Sequence, residues 1–210
     1  MNNRQRGALL IALFAVLLAA DQILKIWVKT HMTLDESITV FADWFKIHFV
    51  ENAGAAFGMR IASHGAVDWG KIALSLFRTA AIVAIGVYIF RLLRRGAPTG
   101  LLIGLTAILA GAVGNVLDCA FYGMIFTEST PFTVAQLGQG YAGFMTGKVV
   151  DMFYFPLFRW DGVPSWLSFL VDRNNYFFGA VFNLADAYIS VALVYLLGFA
   201  FFDKKNSFHA

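Results

Sequence analysis

Charged residues are scarce in this sequence. Asp, Glu, Lys and Arg make up 14% of the 210 residues and 59% are hydrophobic, whereas a soluble domain carries about a quarter charged residues. This composition excludes an ordinary soluble domain and predicts an integral membrane protein. At this length we expect a single integral membrane domain over residues 1–210.

Cysteine and clustered basic residues are scarce as well. The lone cysteine, Cys119, excludes an intrachain disulfide. The net charge of +3 comes with no basic run interleaved with aromatic residues, so we expect no nucleic-acid partner. We also expect no metal site, because no metal-ligand spacing connects the four histidines, His31, His48, His64 and His209.

The N-terminus has the basic start and apolar run of a secretory leader. Arg4 and Arg6 precede the apolar residues 8–20. The apolar character resumes after Asp21 and Gln22, whereas a cleaved leader is followed by a polar mature sequence. We therefore expect a retained first membrane helix.

Long apolar runs without proline are abundant. About 20 apolar residues cross the hydrocarbon core, and four segments reach that length: about 8–28, 72–90, 101–121 and 176–202. By the positive-inside rule, their basic flanks place both termini and the second connection in the cytoplasm. These flanks are Arg4 and Arg6; Arg91, Arg94 and Arg95; and Lys204 and Lys205.

Two long connections, about 29–71 and 122–175, then lie on the extracytoplasmic side. The first contains "ITVFADWFKIHFVENAGAAFG", whose β-branched and aromatic residues predict short strands ending in a Gly-rich turn. The predicted fold is an all-α membrane bundle of four transmembrane helices with a small extracytoplasmic β-sheet and loop region. Connections this long are usually functional or disordered.

The charges within the predicted spans share one depth. At ~1.5 Å per residue, Asp21 and Arg78 lie ~20 Å above the cytoplasmic ends of their spans, and Asp118 and Asp186 lie ~25 Å above theirs. In a core of ~30 Å, all four fall in the outer third. Ionisable residues inside spans are costly and usually functional, so this layer is the candidate site.

Two segments repeat an Asn-x-x-Asp pattern, "GNVLD" at 114–118 and "FNLAD" at 182–186. The spacing places each asparagine on the same helix face as its aspartate. An amide there can donate to the carboxylate and hold its rotamer. Asn115 and Asn183 are therefore predicted to support the neighbouring aspartates.

Several residues have a structural as well as a functional interpretation. Asp21 and Lys25, at i and i+4, favour a structural ion pair over a catalytic role. Asp118 is either a helix-end polar residue or a buried support. Arg78 either reaches outward to the headgroups or contacts substrate, and Asn52 fits a turn as well as a site.

Asp151 arrives from the second outer connection in "KVVD", whose β-branched residues favour an extended backbone. If it meets Asp186, the two carboxyl groups cannot both ionise, and the pair holds one proton near neutral pH. One member can then activate water while the other protonates the scissile group. This is the chemistry of an aspartic protease.

Five motifs, in order along essentially the whole chain, resemble the lipoprotein signal peptidases (signal peptidase II), the bacterial membrane aspartic proteases. They are "DQILK" (21–25), "ENAGAAFG" (51–58), "GAVGNVLD" (111–118), "GKVVDMFYF" (147–155) and "FNLADAYI" (182–189).

The resemblance implies a function and residue roles. Asp151 and Asp186 match the catalytic dyad, which cleaves prolipoproteins just before a diacylglyceryl-modified cysteine without a metal or organic cofactor. It also implies an active site at the outer face of the bacterial cytoplasmic (inner) membrane, contact with membrane lipids, and inhibition by cyclic peptides of the globomycin type. The remaining matches are the supporting residues Asn115, Asp118, Asn183, Asp21 and Lys25, and Asn52 and Gly54 of the substrate-covering loop; Arg78 joins these two as a substrate-binding candidate.

The sequence departs from the family pattern in two places. Cys119 stands where the family commonly has arginine, and Arg78, Lys148 or Arg173 are open as substitutes. Residues 123–147 and 159–178 also make the outer connection longer than in compact relatives.

Two other functions use the same residues. A small proton-coupled transporter would use the carboxylates as a relay, although transporter sites usually lie near the midplane between repeated halves. A non-catalytic assembly protein would use the asparagines and small residues for helix packing.

Overall fold

Four long helices dominate the structure, a computed structural model that describes residues 1–53, 69–171 and 174–207. Within these residues, four helices are long and apolar enough to cross a membrane, which confirms the predicted class. They are α1 (Asn3–His31), α2 (Trp69–Arg94), α3 (Thr99–Leu117) and α5 (Leu184–Ser207); a π-helical turn at Asp118–Tyr122 and the short α4 (Gly123–Ile125) follow α3.

The helix surfaces are apolar nearly all round. Ile11, Phe77 and Val194 are each 72% exposed, an arrangement that suits lipid rather than water as the surrounding solvent.

A small antiparallel sheet accounts for the strand-like sequence. Its order is β1 (Ser37–Phe41), β2 (Phe45–Asn52) and β3 (Val149–Tyr154). Val50 pairs with Asp151 across β2 and β3, so Asp151 lies on an extended strand. The Gly-rich turn predicted after β2 lies outside the described residues.

The chain forms two compact units. The first contains the described parts of 1–22, 60–117 and 184–210, and the second contains those of 23–59 and 118–183.

In the first unit, small residues bring helices together. A Cβ at Gly104 would lie 2.6 Å from a methyl carbon of Leu196, and one at Gly111 would collide with the carbonyl oxygen of Ala185. Close approach of α3 and α5 therefore depends on these glycines. At the other end of α3, the buried Arg6 side chain donates to the carbonyl of Ala97.

In the second unit, the sheet packs on the end of α1 and on the π-helical turn. The buried core joins Val28 and Met32 of α1 to the strands. Its other members are Phe49, Tyr122, Phe126, Ala135, Val150 and Met152.

The last long helix begins later than the sequence suggests. It starts at Leu184, whereas the apolar run predicts a start near 176. Tyr176, Phe177 and Phe182 instead form β-bridges with Arg159, Val171 and Phe153. These contacts satisfy the backbone of the segment in an extended form, which leaves the helix to begin after Asn183.

Candidate active site

Asp186 lies in the first turn of α5, where the helix dipole favours a negative charge. Asn115 of α3 donates from Nδ2 to Asp186 Oδ1 at 2.7 Å. Within the first unit, an amide from the neighbouring helix thus holds this carboxylate.

Asp21 supports the same end of α5. Its side chain is 1% exposed, and Oδ1 accepts the backbone N–H of Ala185 at 2.9 Å. The Gln22 amide donates to Oδ2 at 3.1 Å. A Cβ at Gly114 would lie 2.6 Å from Oδ2, so glycine leaves room for the carboxylate. Asp21 therefore caps one free backbone N–H, that of Ala185, at the start of α5.

Asp151 occupies β3 in the second unit and is 4% exposed. The fully buried Asn183 donates from Nδ2 to Asp151 Oδ1 at 2.7 Å. Reciprocal backbone hydrogen bonds between Phe153 and Phe182, at 2.7 and 3.1 Å, hold the two segments together. The backbone ladder thus places the Asn183 amide beside Asp151.

Each of these asparagine amides donates a hydrogen bond to an aspartate of a different segment. The repeated spacing predicts support within each motif, but the Asn115 amide reaches Asp186 and the Asn183 amide reaches Asp151. The reason is local for Asn183, which precedes the first helical residue and so does not share a helix face with Asp186.

Asp118 is fully buried at the start of the π-helical turn. Lys25 Nζ lies 2.8 Å from its Oδ2, and the backbone N–H of Val150 donates to the same oxygen at 3.3 Å. This geometry favours the buried-support interpretation, because Asp118 connects α1 to the residue that precedes Asp151.

Two of the remaining candidates, Asn52 and Arg78, are less buried than Asp118. Asn52 is exposed at the end of β2 opposite Val149, and Arg78 is half-buried on α2. Gly54 lies outside the described residues.

Lys148 is one of the candidates to replace the arginine expected at position 119, and it forms ion pairs with Glu51 and Glu128. Arg173 lies outside the described residues, and Cys119 itself is buried. Over the described ranges, no group of three or more His, Cys, Asp and Glu side chains could hold a metal ion.

Sequence reasoning missed a second set of buried charges. Lys29 is fully buried and pairs with Glu51, whose side chain is 2% exposed. Two signals could have found it: Lys29 stands one helical turn after Lys25, and Glu51 directly precedes Asn52.

The hydrogen bond from Asn115 to Asp186 lies within the first unit, and the one from Asn183 to Asp151 lies within the second. The meeting of the two aspartates stays a prediction.

Comparison with known proteins identifies relatives along most of the chain. A family model described as Signal peptidase (SPase) II matches residues 13–202. A lipoprotein signal peptidase of Porphyromonas gingivalis is 47% identical over 205 residues, 94% of this chain and 84% of that protein. One from Amoebophilus asiaticus is 34% identical and covers 94% of this chain and 77% of its own.

A solved structure shares the fold. It is titled "Bacterial membrane enzyme structure by the in meso method at 2.3 A resolution" and aligns with a TM-score of 0.61 at 19% identity. The alignment covers 95% of this chain and 91% of the other. Both the predicted fold class and the resemblance stated from the motifs are confirmed.

Proposed function

The chain belongs to the signal peptidase II family, and on that premise we propose that it removes the signal peptide from diacylglyceryl-modified prolipoproteins, cleaving just before the lipidated cysteine. The names of its relatives support this substrate class. Four apolar helices make it a multi-pass bacterial membrane protein. The proposed orientation has both termini cytoplasmic and the site at the outer face of the inner membrane.

The proposed chemistry uses Asp151 and Asp186 as an acid–base pair that holds one proton. The ionised carboxylate takes a proton from water, which attacks the scissile carbonyl. The neutral carboxyl group hydrogen-bonds that carbonyl and then protonates the leaving amine. Because the pair supplies both acid and base, the reaction needs no metal or organic cofactor.

One observation carries this assignment: an asparagine amide donates to each of the two carboxylates at 2.7 Å. Such donors hold a carboxylate in one orientation, as catalysis requires. Asn183, which donates to Asp151, also stands three residues before Asp186. The chain therefore keeps the Cα atoms of Asn183 and Asp186 within about 11 Å of each other.

The remaining roles are part of the proposal. Asp21, Lys25 and Asp118 support the site through the contacts described above. Asn52, Gly54 and Arg78 are proposed to contact the substrate. Membrane lipids are proposed to hold the substrate at the depth of the site. Cyclic peptides of the globomycin type would then compete for that position.

Cleavage of a synthetic prolipoprotein peptide tests the function directly. We expect the purified protein, in detergent or lipid, to cleave the diacylglyceryl-modified peptide and to leave the unlipidated peptide intact. Asp151→Asn and Asp186→Asn should each abolish turnover without unfolding the protein, because each removes one acid–base group. Asp161→Asn is the matched control, since Asp161 lies on the exposed surface.

The outcomes separate the alternatives. Normal cleavage by either dyad variant would overturn the catalytic assignment, and proton flux without cleavage would favour a transporter. Asp21→Asn should be milder than both, because Asp21 caps a helix; an equal loss would place it in the chemistry.

A further inference from the structure

A buried ion cluster of Lys29, Glu51, Ser129 and Lys148 lies in the second unit. The Lys29 ammonium bonds Glu51 Oε1 and lies 3.0 Å from Ser129 Oγ. Ser129 donates to Glu51 Oε1 at 3.0 Å, and Lys148 Nζ lies 3.1 Å from Glu51 Oε2. Lys29 and Ser129 therefore hydrogen-bond one oxygen of the Glu51 carboxylate, and Lys148 forms an ion pair with the other.

Stability alone is a poor explanation for the ion cluster. The Lys29 and Glu51 side chains are 0% and 2% exposed, so both ions have lost their hydration. Apolar residues of similar volume often stabilise a protein as well as or better than a buried ion pair. What an ion pair adds is a defined geometry, and in some proteins that is why it is retained.

The ion cluster contacts both strands around Asp151. Glu51 pairs with Val150 across β2 and β3, one residue before Asp151. Lys148 lies directly before β3, and its backbone N–H donates to Tyr141 Oη at 2.8 Å. A shift of the Glu51 carboxylate would therefore move the strand that carries Asp151.

The long outer connection reaches the strands through the same contacts. Ser129 and Tyr141 both belong to the segment 123–147. The Tyr141 ring lies 5.2 Å from the ammonium groups of both Lys29 and Lys148. Burial raises the pKa of the Tyr141 hydroxyl, so its ring stays neutral between the two cations.

We propose that Lys29 and Glu51 are positioning residues for the cleavage reaction, and that the segment 123–147 acts on Asp151 through Ser129 and the backbone of Lys148. The inference rests on the proposed function. Misplacing a catalytic group by about 1 Å can cost about 100-fold in rate, so a small movement of β3 should be visible in turnover.

The double variant Lys29→Met with Glu51→Leu tests the proposal, because it replaces the ion pair by apolar side chains that can fill the space. We expect a folded protein whose kcat for the lipidated peptide falls roughly 10- to 100-fold, with KM within about twofold. A purely structural ion pair would leave the kcat of the folded fraction unchanged, and that result would overturn the proposal. The matched control removes the exposed ion pair by Arg159→Gln with Asp161→Asn and should retain wild-type kinetics.

Two milder variants keep the proposal testable if the double variant does not fold. Ser129→Ala removes the hydroxyl between the two charges, and Lys148→Met removes a half-buried cation while Glu51 keeps Lys29. Each should lower kcat by about 3- to 10-fold at unchanged KM. Activity that falls only with the folded fraction in both variants would assign the ion cluster to stability and overturn the proposal.

The wild-type protein separates this inference from the proposed function. If it does not cleave the lipidated peptide, both fall together. If it cleaves normally and the folded cluster variants do too, only the inference is wrong.

Discussion

At the scale of single residues, the two proposed catalytic carboxylates share one feature, a hydrogen bond from an asparagine amide. Asn115 and Asn183 donate to Asp186 and Asp151 at the same distance, 2.7 Å. An amide can hold a carboxylate by hydrogen bonding without adding a charge. This keeps each carboxyl group oriented while leaving its net charge available for proton transfer.

Replacing Asn115 tests this orienting role. Asn115→Leu keeps most of the side-chain volume but removes the donor, so we expect kcat to fall roughly 10- to 100-fold with little change in KM. Turnover of the lipidated peptide and the folded fraction should be measured on the same preparation.

Asn115→Gln is the matched variant, because it keeps an amide on a longer side chain. It should recover part of the lost activity. Wild-type turnover in Asn115→Leu would show that the amide contributes nothing to the reaction.

At the scale of elements, the close approach of α3 to α5 depends on glycines, which have no side chain. The Ala185 carbonyl oxygen would meet a Cβ at Gly111, while a Cβ at Gly86 on α2 would meet nothing within 4 Å. The same kind of residue thus has different roles on two helices. The close packing of α5, the helix that carries Asp186, against α3 depends on Gly111.

Alanine substitution at the two glycines should have different effects on stability. We expect Gly111→Ala to destabilise the protein by about 1–3 kcal/mol through overpacking. Gly86→Ala should be neutral or stabilising by up to about 1 kcal/mol, because alanine favours a helix. Thermal unfolding in one detergent measures both, and equal effects would contradict the close packing at Gly111.

At the scale of the whole molecule, basic residues predict how the chain crosses the membrane. In the first unit, Arg6 contacts the carbonyl of Ala97, so the N-terminus and the connection after α2 lie at one end of that unit. The positive-inside rule assigns this end to the cytoplasm. The second outer connection, which carries Asp151, would then face the opposite compartment.

Labelling of single cysteines tests this orientation. In a Cys119→Ala background, Phe132→Cys should react with a membrane-impermeant maleimide on intact spheroplasts, because Phe132 is 91% exposed in the second outer connection. Asn3→Cys should react only after the membrane is permeabilised. The reverse pattern would invert the topology and place the proposed site on the wrong side for exported lipoproteins.

The sequence by itself determined the four spans, the strand-forming stretch before "ENAGAAFG" and the family motifs. Each depends on residues close together in the chain: apolar runs long enough to cross lipid and β-branched residues that favour extension. The start of α5 was harder to predict, because residues 176–183 are apolar enough for a helix but bond to other segments.

Only the tertiary structure decided which donor serves which carboxylate. Lys25 pairs with Asp118, Ala185 donates to Asp21, and Lys29 meets Glu51. These partners lie far apart in the chain, and helix packing and strand register bring them together. A buried charge without a partner costs free energy. The sequence shows that these charged residues need partners, but it does not show which residues the partners are.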